Sequence, residues 1–230
     1  MFNGSPPILT DGLIFYLDAA NERSYISGSS FWNDLSENKY IGTQISGVGY
    51  TSQNLGSRVF LGTTGSYIDY GNILNVTSNF TITAWLMKTT SSIGFNSLVQ
   101  KWEDNPSINE RQWLLALTDN KPIFYVSMNG SISLNVSSSN TISQNIWYNL
   151  TAKYDGTNMY MYVNGIHDQR KAQTGSLYTS SFSSVKIGGY QYSPAPRYFF
   201  GRIANISVYN KSLSDSEILY NYNSLKGRYI

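Results

Sequence analysis

Three tight-turn dipeptides, Asn129-Gly130, Asp155-Gly156 and Asn164-Gly165, fall between runs of β-branched and aromatic residues from Lys121 to Asp168. A type I′ hairpin turn needs positive φ at both central residues, which Gly meets without a Cβ clash and Asn or Asp meets at small cost. Each pair therefore marks a chain reversal, and the chain is expected to be mostly an antiparallel meander. Phe80 to Met87 alternates with period two: Phe80, Ile82, Ala84 and Leu86 share one face, and Thr81, Thr83 and Trp85 the other. A ring as large as Trp85 on the second face predicts a central strand covered on both sides. Further strands are predicted at Leu13 to Leu17, Tyr67 to Tyr70, Ser97 to Lys101, Gln112 to Leu117, Ile123 to Met128, Ser131 to Val136, Ile146 to Tyr154, Met159 to Val163, Val185 to Ile187 and Arg202 to Tyr209. Residues 21 to 57 read as loops with short strands, pinned by Phe31-Trp32.

One helix is predicted, at about residues 214 to 226. Ser214 and Glu217 form a capping-box pattern, Ile218, Tyr222 and Leu225 share a face, and Gly227 supplies the C′ residue. Residues 1 to 11 contain Gly4 and Pro6-Pro7 and read as an N-terminal arm that is ordered only through contact with another chain. Residues 12 to 230 read as a single all-β domain, a two-sheet antiparallel sandwich.

At 230 residues such a domain buries an ample core without staples, in keeping with the absence of cysteine. That absence also removes thiol catalysis and thiolate metal sites. Sixteen Lys and Arg against fourteen Asp and Glu leave a charge of +2. With no concentrated basic run, nucleic acid is not an expected partner. Polarity comes instead from Ser, Thr, Asn, Gln and nineteen Tyr, groups that hydrogen-bond and stack. The start of the chain has neither the basic nor the apolar region of a signal peptide, and no apolar run is long enough for a membrane span, so no membrane insertion is expected.

Several blocks in order resemble the concanavalin A-like lectin/glucanase superfamily in its laminin-G-like branch. They are Gly12 to Asn21, Trp32 to Ser36, Tyr67 to Gly71, Phe80 to Trp85, Trp147 to Gly156, Tyr162 to Gly165, Ile187 to Gly189 and Phe200 to Asn210. The ending, Leu213 to Ile218 followed by Asn221 to Tyr229, resembles that of laminin-G-like proteins of marine tailed bacteriophages. The resemblance implies a jelly-roll sandwich. It further implies a non-enzymatic virion surface protein, either a capsid decoration protein or a tail-fibre or appendage subunit, with other virion proteins or copies of itself as partners and a host-surface glycan as a further ligand. A free-standing carbohydrate-binding lectin is the alternative, and a glycoside hydrolase with atypical carboxylates a weaker one.

The glucanases of this superfamily place carboxylates at alternate positions of one strand, in a Glu-x-Asp-x-(x)-Glu pattern, so that a pair flanks the glycosidic bond. No such strand is present. Glu103-Asp104 is adjacent and reads as a polar turn, and His167 beside Asp168 as a solvent-facing hairpin residue. Calcium is the cofactor that the resemblance would allow, with Asp18, Asn21, Asp34 and Asn38 as candidate ligands, but no spacing among them defines a site. For a glycan or protein partner, exposed aromatic rings beside polar side chains are expected in two segments. One holds Tyr190, Gln191, Tyr192, Arg197 and Tyr198, and the other holds Trp102, Asn105, Asn109, Arg111 and Trp113. Phe199, Phe200 and Trp113 are expected in the core.

Overall fold

The computed structural model describes residues 7–63, 65–90, 94–104, 108–190 and 197–230. Among them the chain forms β1 (Leu13–Asp18), β2 (Phe31–Asn33), β3 (Ile41–Ser46), β4 (Val48–Thr51), β5 (Ser57–Leu61), β6 (Tyr67–Asp69), β7 (Phe80–Lys88) and β8 (Phe95–Lys101). There follow β9 (Trp113–Thr118), β10 (Lys121–Ser127), β11 (Ser133–Ser137), β12 (Trp147–Tyr154), β13 (Asn158–Val163), β14 (Ile166–Ala172), β15 (Val185–Ile187), β16 (Phe200–Tyr209) and the helix α1 (Asp215–Lys226).

These strands make two antiparallel sheets. The first runs β14-β13-β12-β7-β16-β5-β4, with β1 also paired to β16, and the second runs β11-β10-β9-β8-β15-β6-β3-β2. The faces that meet carry Phe80, Ile82, Ala84 and Leu86 from one sheet and Trp113, Leu115, Phe124 and Val126 from the other, all buried in one core. Strand β7 is buried along its whole length between β12 and β16, as the Trp85 ring on its second face predicts. Trp85 points away from the core, and there α1 and the tail after it cover it. Its ring stacks on Tyr222 at 5.5 Å and on Tyr229 at 4.4 Å. The expected helix is present with both arms of its capping box, but Gly227 has φ −63 rather than a left-handed cap. Its backbone continues the helical turn, and the amides of Tyr229 and Ile230 donate to the Lys226 carbonyl.

The turns correct the sequence reading in part. All three dipeptides reverse the chain, yet only Asn164-Gly165 has positive φ at both residues (52 and 77). Asn129 and Asp155 instead accept amide hydrogens from the residues that follow, which makes longer side-chain-closed loops. A second turn with both φ positive is Asp119-Asn120 between β9 and β10, which lacks the Gly that would have flagged it. Strand β14 was not expected, because its side chains are polar and mostly exposed at a sheet edge. His167 is exposed on it, as expected. Phe199 and Trp113 lie in the core, whereas Phe200 is 39% exposed on β16.

Residues 1–6 lie outside the described residues. Residues 8–11 are held by their own chain, contrary to the reading of 1–11 as an arm ordered only by a partner. Ile8 is buried, the Leu9 amide donates to Asn221 Oδ1 at 2.9 Å, the Tyr209 hydroxyl donates to the Leu9 carbonyl, and Asp11 pairs with Lys211.

Candidate functional site

Alternation along β9 and β10 sends Leu114, Ala116, Ile123 and Tyr125 to the side of the second sheet that faces away from the core. There they join Trp102, Tyr190 and Phe95 in a separate apolar cluster. Asp104, just past the end of β8, is buried among them. Its Oδ1 accepts from Trp102 Nε1 (2.6 Å) and Arg111 Nε (2.8 Å), and its Oδ2 accepts from the Tyr190 hydroxyl (2.6 Å) and faces Arg197 Nη1 at 3.2 Å. The sequence reading of Glu103-Asp104 as a polar turn did not foresee this role: Asp104 is buried, and four donors converge on it. Burial and the Asp104 charge raise the Tyr190 hydroxyl far above its usual range, so it remains a donor.

Beside this centre is a pocket of about 260 Å³. Phe95, Trp102, Tyr125 and Leu114 give it an aromatic and apolar wall, and Asp104, Arg111, Arg197 and Ser133 its polar lining. Rings of the wall pack at 6.0 Å (Phe95 and Tyr125) and 5.9 Å (Trp102 and Tyr125). Arg197 lies over Phe95 with its Cζ 4.5 Å from the ring centre, and Arg111 lies 6.0 Å from the centre of a Trp102 ring. Arg111 also donates through Nη1 to the Ser131 carbonyl.

Of the residues in the two expected contact segments, Trp102, Arg111, Tyr190 and Arg197 do meet here, though Trp102 and Tyr190 in another role. Trp102 and Tyr190 are 3% and 1% exposed, so neither can stack on a ligand from solvent: Trp102 backs the pocket wall, and Tyr190 holds Asp104 from behind the lining. Tyr198 is buried too, stacked on Tyr67 at 6.4 Å, and lines no part of the pocket. Gln191 and Tyr192 lie outside the described residues, as does Asn105. Sequence reasoning missed Phe95, Tyr125 and Ser133. The signal for Tyr125 was available, since it alternates with Phe124 and Val126, both of which face the core.

The four candidate calcium ligands are each engaged by protein. Asp34 accepts from the amides of Tyr16 and Ser36 and from the Ser36 hydroxyl, fixing the loop after β2 to β1. Asp18 receives both Nη atoms of Arg228, Asn21 accepts from the Arg23 amide, and Asn38 donates to the Ile14 carbonyl. Among the described residues no three His, Cys, Asp or Glu side chains gather as a metal group. Glu110 is buried too, and the Tyr178 and Ser180 hydroxyls and the Ser181 amide occupy its oxygens. Burial pushes its carboxyl up, and those hydrogen bonds outweigh it and hold it below the usual range. Asp168 is likewise committed, to the hydroxyls of Ser138 and Ser139.

Similarity to known proteins agrees with this architecture. The chain is 30% identical over 96 residues to the N,N-dimethylformamidase beta subunit of an Alcaligenes species, a match that covers 40% of this chain and 12% of that one. Its fold is similar to the binding domain of Paraclostridial mosquitocidal protein 1, with a TM-score of 0.72, 20% identity and 93% of this chain covered. It is also similar to the binding domain of botulinum neurotoxin DC in complex with SialylT (TM-score 0.71, 15% identity, 94% covered). The type C neurotoxin, described as dependent for cell entry on two ganglioside molecules, superposes with a TM-score of 0.72 at 14% identity over 93% of this chain. The chain spans about half the length of these solved domains (52%, 52% and 51%), and at these identities the likeness is one of fold. A laminin-G model matches residues 61–219, more than half of the sequence, and the chain belongs to the family that it describes, the concanavalin A-like lectin/glucanases superfamily.

Proposed function

We propose that this chain is a non-enzymatic, lectin-like binding module and that its ligand is a saccharide held in the pocket between Phe95, Tyr125 and the two arginines. The observation that carries this reading is the lining itself. A sugar presents an apolar ring face and a rim of hydroxyls, and here an aromatic wall stands beside guanidinium and hydroxyl groups. Hydrolysis needs a carboxyl group that can give or take a proton. Asp104, the carboxylate in the lining, has both oxygens engaged by donors. Two fold neighbours, of which this chain spans about half, are described with SialylT and gangliosides, which supports a glycan as the class of ligand. The test is a glycan array with the whole chain. Retention of a defined saccharide is expected, with no release of reducing sugar. Tyr125→Ala should weaken it about tenfold, the scale of losing one contact ring. Turnover of the bound saccharide, or full retention by the variant, would sink the reading.

A virion surface is the second reading, as the setting in which such a module works. It rests on the resemblance of Leu213 to Tyr229 to the endings of tailed-phage proteins. That block forms α1 and the tail, which close the outer face of the first sheet. Further copies of this chain or other virion proteins would then be its partners. Antibody raised to the chain should label intact particles of the parent phage, and unlabelled particles would remove this setting while leaving the lectin reading untouched.

A further inference from the structure

We infer that the pocket selects an anionic saccharide, one that carries a carboxylate or sulfate group, over a neutral one. The inference rests on the glycan reading above and narrows it to a ligand class.

A neutral sugar rim both donates and accepts hydrogen bonds, so a site that holds it needs free acceptors as well as donors. Here the acceptor capacity of Asp104, the one carboxylate among the described lining residues, is taken up inside the protein. Trp102 and Arg111 occupy Asp104 Oδ1, and Tyr190 and Arg197 occupy Oδ2. What the lining offers outward is rich in donors. Arg111 uses Nε on Asp104 and Nη1 on the Ser131 carbonyl, which leaves the Nη2 edge of its fork for a ligand. Among the described residues, the charged lining side chains are two guanidiniums and one carboxylate, an excess of one positive charge around a pocket of about 260 Å³. Both arginine side chains are partly exposed, at 22% and 25%, while the carboxylate between them is 8% exposed. A ligand therefore meets the cations before it meets the anion. Each guanidinium also lies near an aromatic ring, Arg197 over Phe95 and Arg111 beside Trp102, so the planar forks are held in place. A planar fork held in this way suits the paired oxygens of a carboxylate or sulfate.

Three probes decide the matter by titration of the intact chain: oligogalacturonate, a sulfated galactan oligosaccharide and a neutral galactan oligosaccharide of the same length. At least one anionic probe should bind about tenfold or more tightly than the neutral one, and the stronger arm identifies the group. Raising salt from about 0.05 M to about 0.5 M should erode that preference and leave neutral binding unchanged. Arg111→Gln should abolish the preference, and Arg111→Lys, which keeps the charge without the fork, should retain part of it. Equal affinity for neutral and anionic probes overturns this inference alone. Binding of none of the three overturns it together with the glycan reading. The salt titration of the unaltered protein decides the question even if a variant fails to fold.

Discussion

Four donors around Asp104 show how one residue sets the character of the pocket. Its burial would be costly for a lone charge, but two guanidiniums, an indole N–H and a phenol satisfy it. Satisfied in this way, Asp104 fixes four side chains and is removed from chemistry. Asp155 makes the complementary case at a half-buried turn. Burial is the largest single influence and raises its carboxyl, but the hydrogen bonds from Thr157, Tyr160 and Asn158 together outweigh it and bring the group down from 3.8 to about 2. A carboxyl lowered by folding contributes stability that is full above its unfolded value and lost as pH falls through its folded value. The contribution of Asp155 should therefore be intact above about pH 4 and decline from there towards pH 2. Melting temperatures of Asp155→Asn between pH 5 and pH 2 should fall less steeply than those of the parent. Asp168, Asp215 and Glu217, all lowered as well, should keep the acid limb from vanishing. Parallel curves for parent and variant would contradict this assignment.

Among the elements, the β13–β14 hairpin and α1 depend on one another. Gly165 occupies a left-handed position, and a Cβ there would lie 2.9 Å from Tyr222, whose ring stacks on Trp85. Gly71 has nearly the same φ with open space around it, which makes it a control for the backbone cost alone. Gly71→Ala should cost about 1 kcal/mol and Gly165→Ala about 2 kcal/mol or more in urea denaturation, since only the second also displaces the helix. Equal losses would show that the turn does not bear on the helix. This dependence could not be read from the sequence. The Asn164-Gly165 signal is local and announces the turn, whereas the contact joins residues that are distant along the chain. Strand β14 escaped notice for a related reason. Period-two patterning appears only where one face is buried, and β14 lies at an edge with most of its side chains in solvent.

At the scale of the whole molecule, each sheet has a second buried layer outside the shared core. The first sheet is covered by α1 and the tail, which enclose Trp85, Met87, Trp147 and Ala204. The second carries the cluster of Trp102, Leu114, Ala116, Ile123 and Tyr190, and the candidate pocket opens beside it. The N-terminal stretch from Ile8 to Asp11 lies against β16 and α1, so the two ends of the chain are tied together. The helix and tail thus close the outer face of the first sheet, whereas the outer face of the second keeps a pocket open beside its apolar cluster.

The sequence by itself determined the β class, the order of most strands, the doubly covered β7 and the capped helix. Each of these depends on neighbours within a few residues, through turn chemistry, side-chain alternation and capping. Tertiary structure alone decided the site. Trp102, Asp104, Arg111, Tyr125, Tyr190 and Arg197 come from separate segments, and whether a ring among them faces solvent or a carboxylate depends on what the fold places beside it. Trp102 and Tyr190 could be recognised as notable aromatics, but their burial against Asp104 could not, because a hydrogen bond across the fold leaves no periodicity in the chain.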